Sequence, residues 1–159
     1  MKTRFFLLLI PILICLTACS AKGGDVFAFA DSDAAFTLTF TSDVGEIVCE
    51  CTRVGEHIRA EVISPERSRG IVISTGVAGT QISVDGVDIP LSEDAARGFC
   101  MIFEVMFRGS DGAEVRMSED GEYTEAVYED GVLTIDSEGK PASVDVGRVV
   151  KISNYTAQK

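Results

Sequence analysis

The chain has 159 residues, 46% of them hydrophobic, with 14 Lys and Arg against 25 Asp and Glu and a formal charge of −11. That length supports one domain with its own core. The acidic excess repels phosphate backbones and anionic headgroups, so a nucleic-acid partner is disfavoured.

In chain order, Met1-Lys2-Thr3-Arg4 supplies two positive charges, and residues 5–16 are almost wholly apolar, broken only by Pro11 and Cys15. A stretch of about 12 apolar residues is too short to span a bilayer core of roughly 30 Å and has the form of a secretory signal. Leu16-Thr17-Ala18-Cys19 then resembles the bacterial lipobox. The pattern predicts a lipoprotein signal over residues 1–18, with Cys19 carrying a diacylglyceryl group after cleavage. An ordinary signal cleaved after Ala18, with Cys19 incidental, is the alternative. Each buried methylene contributes about 0.8 kcal/mol, so one chain holds reversibly and two hold stably. The expected location is the cell envelope, lipid-anchored on the extracytoplasmic face of a bacterial membrane without spanning it. Losing Lys2 and Arg4 with the signal leaves 12 basic and 25 acidic side chains on 141 residues, a formal charge of −13.

Residues 19–31, which open on small and polar residues, are read as a short tether, and 32–159 as a single domain. From Phe36 the apolar pattern alternates. Phe36, Leu38 and Phe40 share one face, followed by Ile47, Cys49 and Cys51, then Ile58, Ala60 and Val62, each row opposed by polar residues. These are half-buried strands. "GIVIST" (70–75), "TQISVD" (80–85) and "VDIPL" (87–91) continue the pattern, the last two meeting at the hairpin dipeptide Asp85-Gly86. One segment changes period. Ser92 is a helix N-cap with two acids after it, and Ala95, Phe99, Ile102, Phe103 and Met106 repeat at helical spacing up to Phe107. Cys100, Met101, Val105 and Phe107 widen that apolar arc, which suits a helix lying in a concave sheet. Further alternating segments follow to "RVVKISNY" (148–155), separated by Asp-Gly and Glu-Gly turns. The fold class is therefore mainly β (α+β): a curved antiparallel sheet or unclosed barrel of about ten strands, with one helix on its concave face.

Chemistry-bearing motifs are sparse. Cys49 and Cys51 point the same way on one strand and cannot readily bridge each other. With Cys100 they read as small buried hydrophobes, and a Cys100 bridge to either remains the rival. The lone histidine, His57, alternates outward, away from those cysteines, so a nucleophile–base pair is not expected. The acidic turns at 118–122 and 128–131 lack calcium-loop spacing. No enzyme activity, cofactor or metal is expected.

The segments "ISPERSRGIVIS" (63–74), a paired-strand and helix stretch, and "LTIDSEGKPASVDV" (133–146) resemble the outer-membrane lipoprotein carrier and receptor superfamily (LolA/LolB-like). The turn Ile135-Asp136-Ser137-Glu138-Gly139-Lys140-Pro141 carries much of that resemblance, which spans roughly 36–155 in pattern. It implies an unclosed antiparallel barrel with helix in its mouth, and a cavity for an acyl chain or lipoprotein ligand. Phe36, Leu38, Phe40, Ile58 and Val62 are then the candidate wall. Phe99, Ile102, Phe103 and Met106 stand opposite as lid or plug. Two functions follow: a membrane-anchored module binding a hydrophobic ligand, or a non-enzymatic surface lipoprotein whose helix fills its own core.

Overall fold

The computed structural model describes residues 25–42 and 45–158. The elements are β1 (Asp33–Ser42), β2 (Gly45–Val54), β3 (His57–Ser64), β4 (Val72–Gly76), β5 (Gly79–Val84), β6 (Val87–Pro90), α1 (Glu93–Phe107), β7 (Glu114–Met117), β8 (Thr124–Tyr128), β9 (Gly131–Ile135), β10 (Pro141–Asp145) and β11 (Val149–Gln158). The strands form one sheet in the order β6-β5-β4-β3-β2-β1-β11-β10-β9-β8-β7, every pairing antiparallel. The sheet is unclosed: β6 and β7 are its edges, and β1 meets β11 in the middle.

Local chemistry sets the turns. Asp85 and Gly86 both adopt left-handed backbone, at φ 52° and 79°, as a two-residue hairpin between right-twisting strands requires. In the β9–β10 connection the Asp136 carboxylate accepts from the N–H groups of Glu138 and Lys140, both at 2.9 Å. The Asp136 N–H donates to the Lys140 carbonyl at 2.8 Å. One side chain therefore organises the Ile-Asp-x-x-Gly-x-Pro turn.

Curvature follows from what α1 touches. Its Cys100 reaches Thr75 on β4, while Arg108, just past its end, reaches Asp130 between β8 and β9. Those partners stand six to seven strands apart, roughly 30 Å on a flat sheet at about 4.8 Å per strand. The sheet must wrap around the helix to bring both to it.

Two details depart from the sequence reading. Residues 25–31, assigned to the tether, carry Phe27, Phe29 and Ala30 into the core. Ala95 is exposed on α1 and Ala96 takes the buried place. A third detail lies in β11. Its register on β1 shifts between Ala35 and Thr37, and Asn154 sits at φ 54°. The extra residue turns Tyr155 inward with Val150 and Ile152.

Candidate functional site

The residues expected to line a cavity are mostly packed against one another. Phe36, Leu38, Ile58, Val62, Ile102, Phe103 and Met106 are buried in one core with Cys49 and Ala60, and Phe40 and Phe99 lie half-buried at its margin. The Phe36 ring meets Phe103 and Phe107 at centroid distances of 6.3 and 6.0 Å and stacks on Tyr155 at 6.0 Å. Phe99 meets Phe103 edge-on at 4.7 Å. These tilted and edge-on rings are ordinary aromatic packing. The second half of α1 is thus a plug in the sheet's centre.

The two halves of α1 differ. The first turn is capped by Ser92, whose hydroxyl oxygen accepts from the Ala95 N–H at 3.3 Å. From 93 to 101 only Ala96 is fully buried, whereas Ile102, Phe103, Val105 and Met106 all are. The C-terminal end is clamped. Arg108 donates to both Asp130 carboxylate oxygens, at 2.7 and 2.5 Å, and its guanidinium lies 5.0 Å from the Tyr128 ring centroid. The Tyr128 hydroxyl donates to the Gly109 carbonyl at 2.6 Å. The hydrogen bonds from Arg108 hold the Asp130 carboxyl below its ordinary pKa.

Beside the exposed half of α1, the concave face carries apolar side chains that no other described residue covers. Residues paired across a ladder share a face, and the register links Ala60 to Ile73, Ile73 to Ile82 and Ile82 to Ile89. Val84 pairs with Val87 on the same face. Along that row burial falls away: Ala60 is buried, Ile73 and Ile82 are half-buried, Ile89 is 49% exposed and Val87 62%. The β4–β6 hairpins therefore extend the core's apolar lining out past the helix as a wing. On the opposite edge, Val115 pairs with the buried Ala126, so it also faces inward, and it too is exposed.

Between the wing and α1 lies an open cleft of about 480 Å³, within the range of small-ligand sites. Thr80, Leu91, Ala96, Cys100 and Met101 line it, with Glu93, Arg97, Glu104 and Asp130 around them. The Cys100 sulfur is half-buried, 3.4 Å from the Thr80 hydroxyl and 3.8 Å from that of Thr75.

The structure is similar to the crystal structure of a LolA superfamily protein from Nitrosomonas europaea, with a TM-score of 0.43 and 13% sequence identity over 85% of this chain and 90% of that one. No protein-family model matches the chain, and no curated protein does.

The remaining sequence candidates fall as follows. Cys49, Cys51 and Cys100 are all free thiols. Burial pushes the Cys49 thiol up to about 11, and burial with the neighbouring Cys49 pushes Cys51 higher still. His57 is exposed on the convex face, packed over Gly76. Among the described residues no group of His, Cys, Asp and Glu is arranged to hold a metal ion, and no helix is long and apolar enough to cross a membrane. Cys19 and the signal segment lie outside the described residues. Sequence reading missed the wing. Alternation reveals its strands and a helix lying in the concave face, but the uncovered edge emerges only once strand order is known.

Proposed function

We propose that the protein is a membrane-anchored binding module that holds the apolar part of a ligand on the wing formed by β4–β6, beside the N-terminal half of α1. The observation that carries this reading is the concave row that runs from half-buried Ile73 and Ile82 out to exposed Ile89, with exposed Val84 and Val87 beside it. Burying a valine or isoleucine side chain contributes roughly 1.5–3 kcal/mol, so covering this row supplies enough for micromolar binding even after ordering costs. Gly98 lies in the exposed half of α1 and lowers its helical stability by about 1 kcal/mol relative to alanine. In this reading that half shifts over a ligand while the clamped half stays in the core. The lipobox pattern of Leu16-Thr17-Ala18-Cys19 supports the anchored part of this reading, in which Cys19 tethers the module to a membrane face.

The test uses the neutral dye Nile red and the chain from Ser20 onward, since among the described residues every buried core residue lies between Phe27 and Tyr155. Saturable emission should weaken at least tenfold in the Val87→Ser, Ile89→Ser double variant. It should be unchanged in Val149→Ser, which removes an equally exposed valine on the convex face. Equal binding by all three proteins refutes the wing as the site. A second reading, a structural lipoprotein with a self-filled core, is favoured by the dense packing of Phe36, Phe103 and Met106. It predicts no saturable binding at all.

A further inference from the structure

The wing and its cleft have a charge as well as a shape. From Val72 to Phe107 the chain carries Asp85, Asp88, Glu93, Asp94 and Glu104 against the single cation Arg97. Asp85 lies in the β5–β6 turn and Asp88 on the edge strand β6. Glu93 and Asp94 form the first turn of α1, and Glu93 and Glu104 both border the cleft. Asp130, on the far side of that cleft, is paired with Arg108. The cleft floor of Leu91, Ala96, Cys100 and Met101 is apolar or weakly polar. The cleft's border thus carries two carboxylates, Glu93 and Glu104, against the one cation Arg97, a net negative charge beside an apolar floor.

We propose that the wing selects cationic amphiphiles: ligands whose apolar part lies on Ile82, Val87 and Ile89 while a positive group sits in the cleft by Glu93 and Glu104. This rests on the wing being the ligand surface. An anionic head on the same chain meets local repulsion in that place. With charges about one Debye length away at physiological ionic strength, the local preference for cation over anion is on the order of tenfold, and it shrinks as salt is added.

The experiment compares three twelve-carbon probes below their micelle concentrations by calorimetric titration: dodecyltrimethylammonium, the neutral dodecyl maltoside and dodecyl sulfate. The cation should bind about tenfold more tightly than the anion, with the neutral probe between them. The protein's overall negative charge favours cations everywhere, so two variants separate local from global effects. Glu93→Gln with Glu104→Gln should cut the cation-to-anion ratio severalfold. Glu119→Gln with Glu138→Gln removes the same charge at exposed turns and should leave the ratio nearly unchanged. Binding of the neutral probe with no cation preference, or equal loss of preference in both variants, overturns the charge selection while leaving the apolar site standing. Failure of all three probes to bind overturns the wing as a site and this inference with it.

Discussion

The guanidinium of Arg53 lies 4.2 Å from the centroid of the Phe107 ring. The same group donates to the carbonyls of Ala30, of Ser32 at 3.1 Å and of Gly55 at 3.0 Å. One side chain on β2 thus ties the N-terminal turn to the end of α1. Arg53→Met keeps the stem and removes those bonds, and should cost about 1–3 kcal/mol. Arg53→Lys should recover little, because an ammonium cannot present a planar fork to three carbonyls and a ring. Urea melts followed by circular dichroism measure the loss. Hydrogen exchange at Ala30, whose N–H donates to Phe27, should speed up in both variants.

The Arg108–Asp130 pair gives a pH test. Its side chains are about 30% exposed, so its contribution is discounted to roughly 0.5–1 kcal/mol. The Asp130 carboxyl is held below its unfolded value of 3.8. Its stabilisation is therefore present above that value and lost as pH falls through the folded one. Asp130→Asn should lower the melting temperature at pH 7, and the gap from the native chain should close as the pH falls below 3.8. A gap constant with pH shows the pair contributes nothing as an ion pair.

The thiols should separate into two classes. Cys49 and Cys51 are buried and their thiolates are disfavoured, so a thiol reagent at pH 8 should modify them only at the rate of unfolding. Cys100 should react first, and a bound ligand on the wing should slow it. Because the folded state raises these pKa values, stability present below the unfolded value of 9.0 should decline as pH rises from there toward 11. Mass spectrometry finding Cys100 bridged to either buried cysteine would contradict the free-thiol arrangement.

Two glycine-to-alanine changes should have opposite signs. A Cβ at Gly131 would stand 2.7 Å from the Asp145 carbonyl oxygen and 3.0 Å from a Val105 methyl, so Gly131→Ala should cost about 1–3 kcal/mol. A Cβ at Gly98 meets nothing within 4 Å, so Gly98→Ala should stabilise by up to about 1 kcal/mol. If the exposed half of α1 must shift over a ligand, that stiffer helix should bind Nile red more slowly.

Labelling with a radioactive fatty acid tests the anchor. The native chain should incorporate it, and Cys19→Ala should accumulate as an unlabelled precursor. Label persisting in the variant would rule out Cys19 as the acceptor.

Strands and helix were legible because their periods are clean: Phe36, Leu38 and Phe40 on one face, and Phe99, Phe103 and Met106 at helical spacing, all facing inward as the spacing predicts. The Asp85-Gly86 hairpin was legible from turn chemistry alone. Tyr155 was not, because the bulge at Asn154 breaks the two-residue alternation that sequence reading depends on. Phe27 and Phe29 were hidden for a different reason. They enter the core from a turn, where no period exists to announce them. The wing was obscured because Val87 and Ile89 read alike whether their strand is central or at an edge. Pairing order decides which, and pairing is not local information.

The meeting of β1 with β11 in mid-sheet divides the domain by folding time. Strands β1–β6 and β7–β11 are two meanders, each pairing only sequence neighbours across short connections, and one ladder joins them. Those local hairpins can form quickly, but the joining ladder must close a loop almost as long as the domain. Until it does, the inward faces of Phe36, Leu38 and Ile152 are bare, and β1 and β11 present open edges to any other chain. A chain stopped short of Val149 would therefore lose its seam, and behave as a sticky half-sheet rather than a slightly smaller version of the same protein.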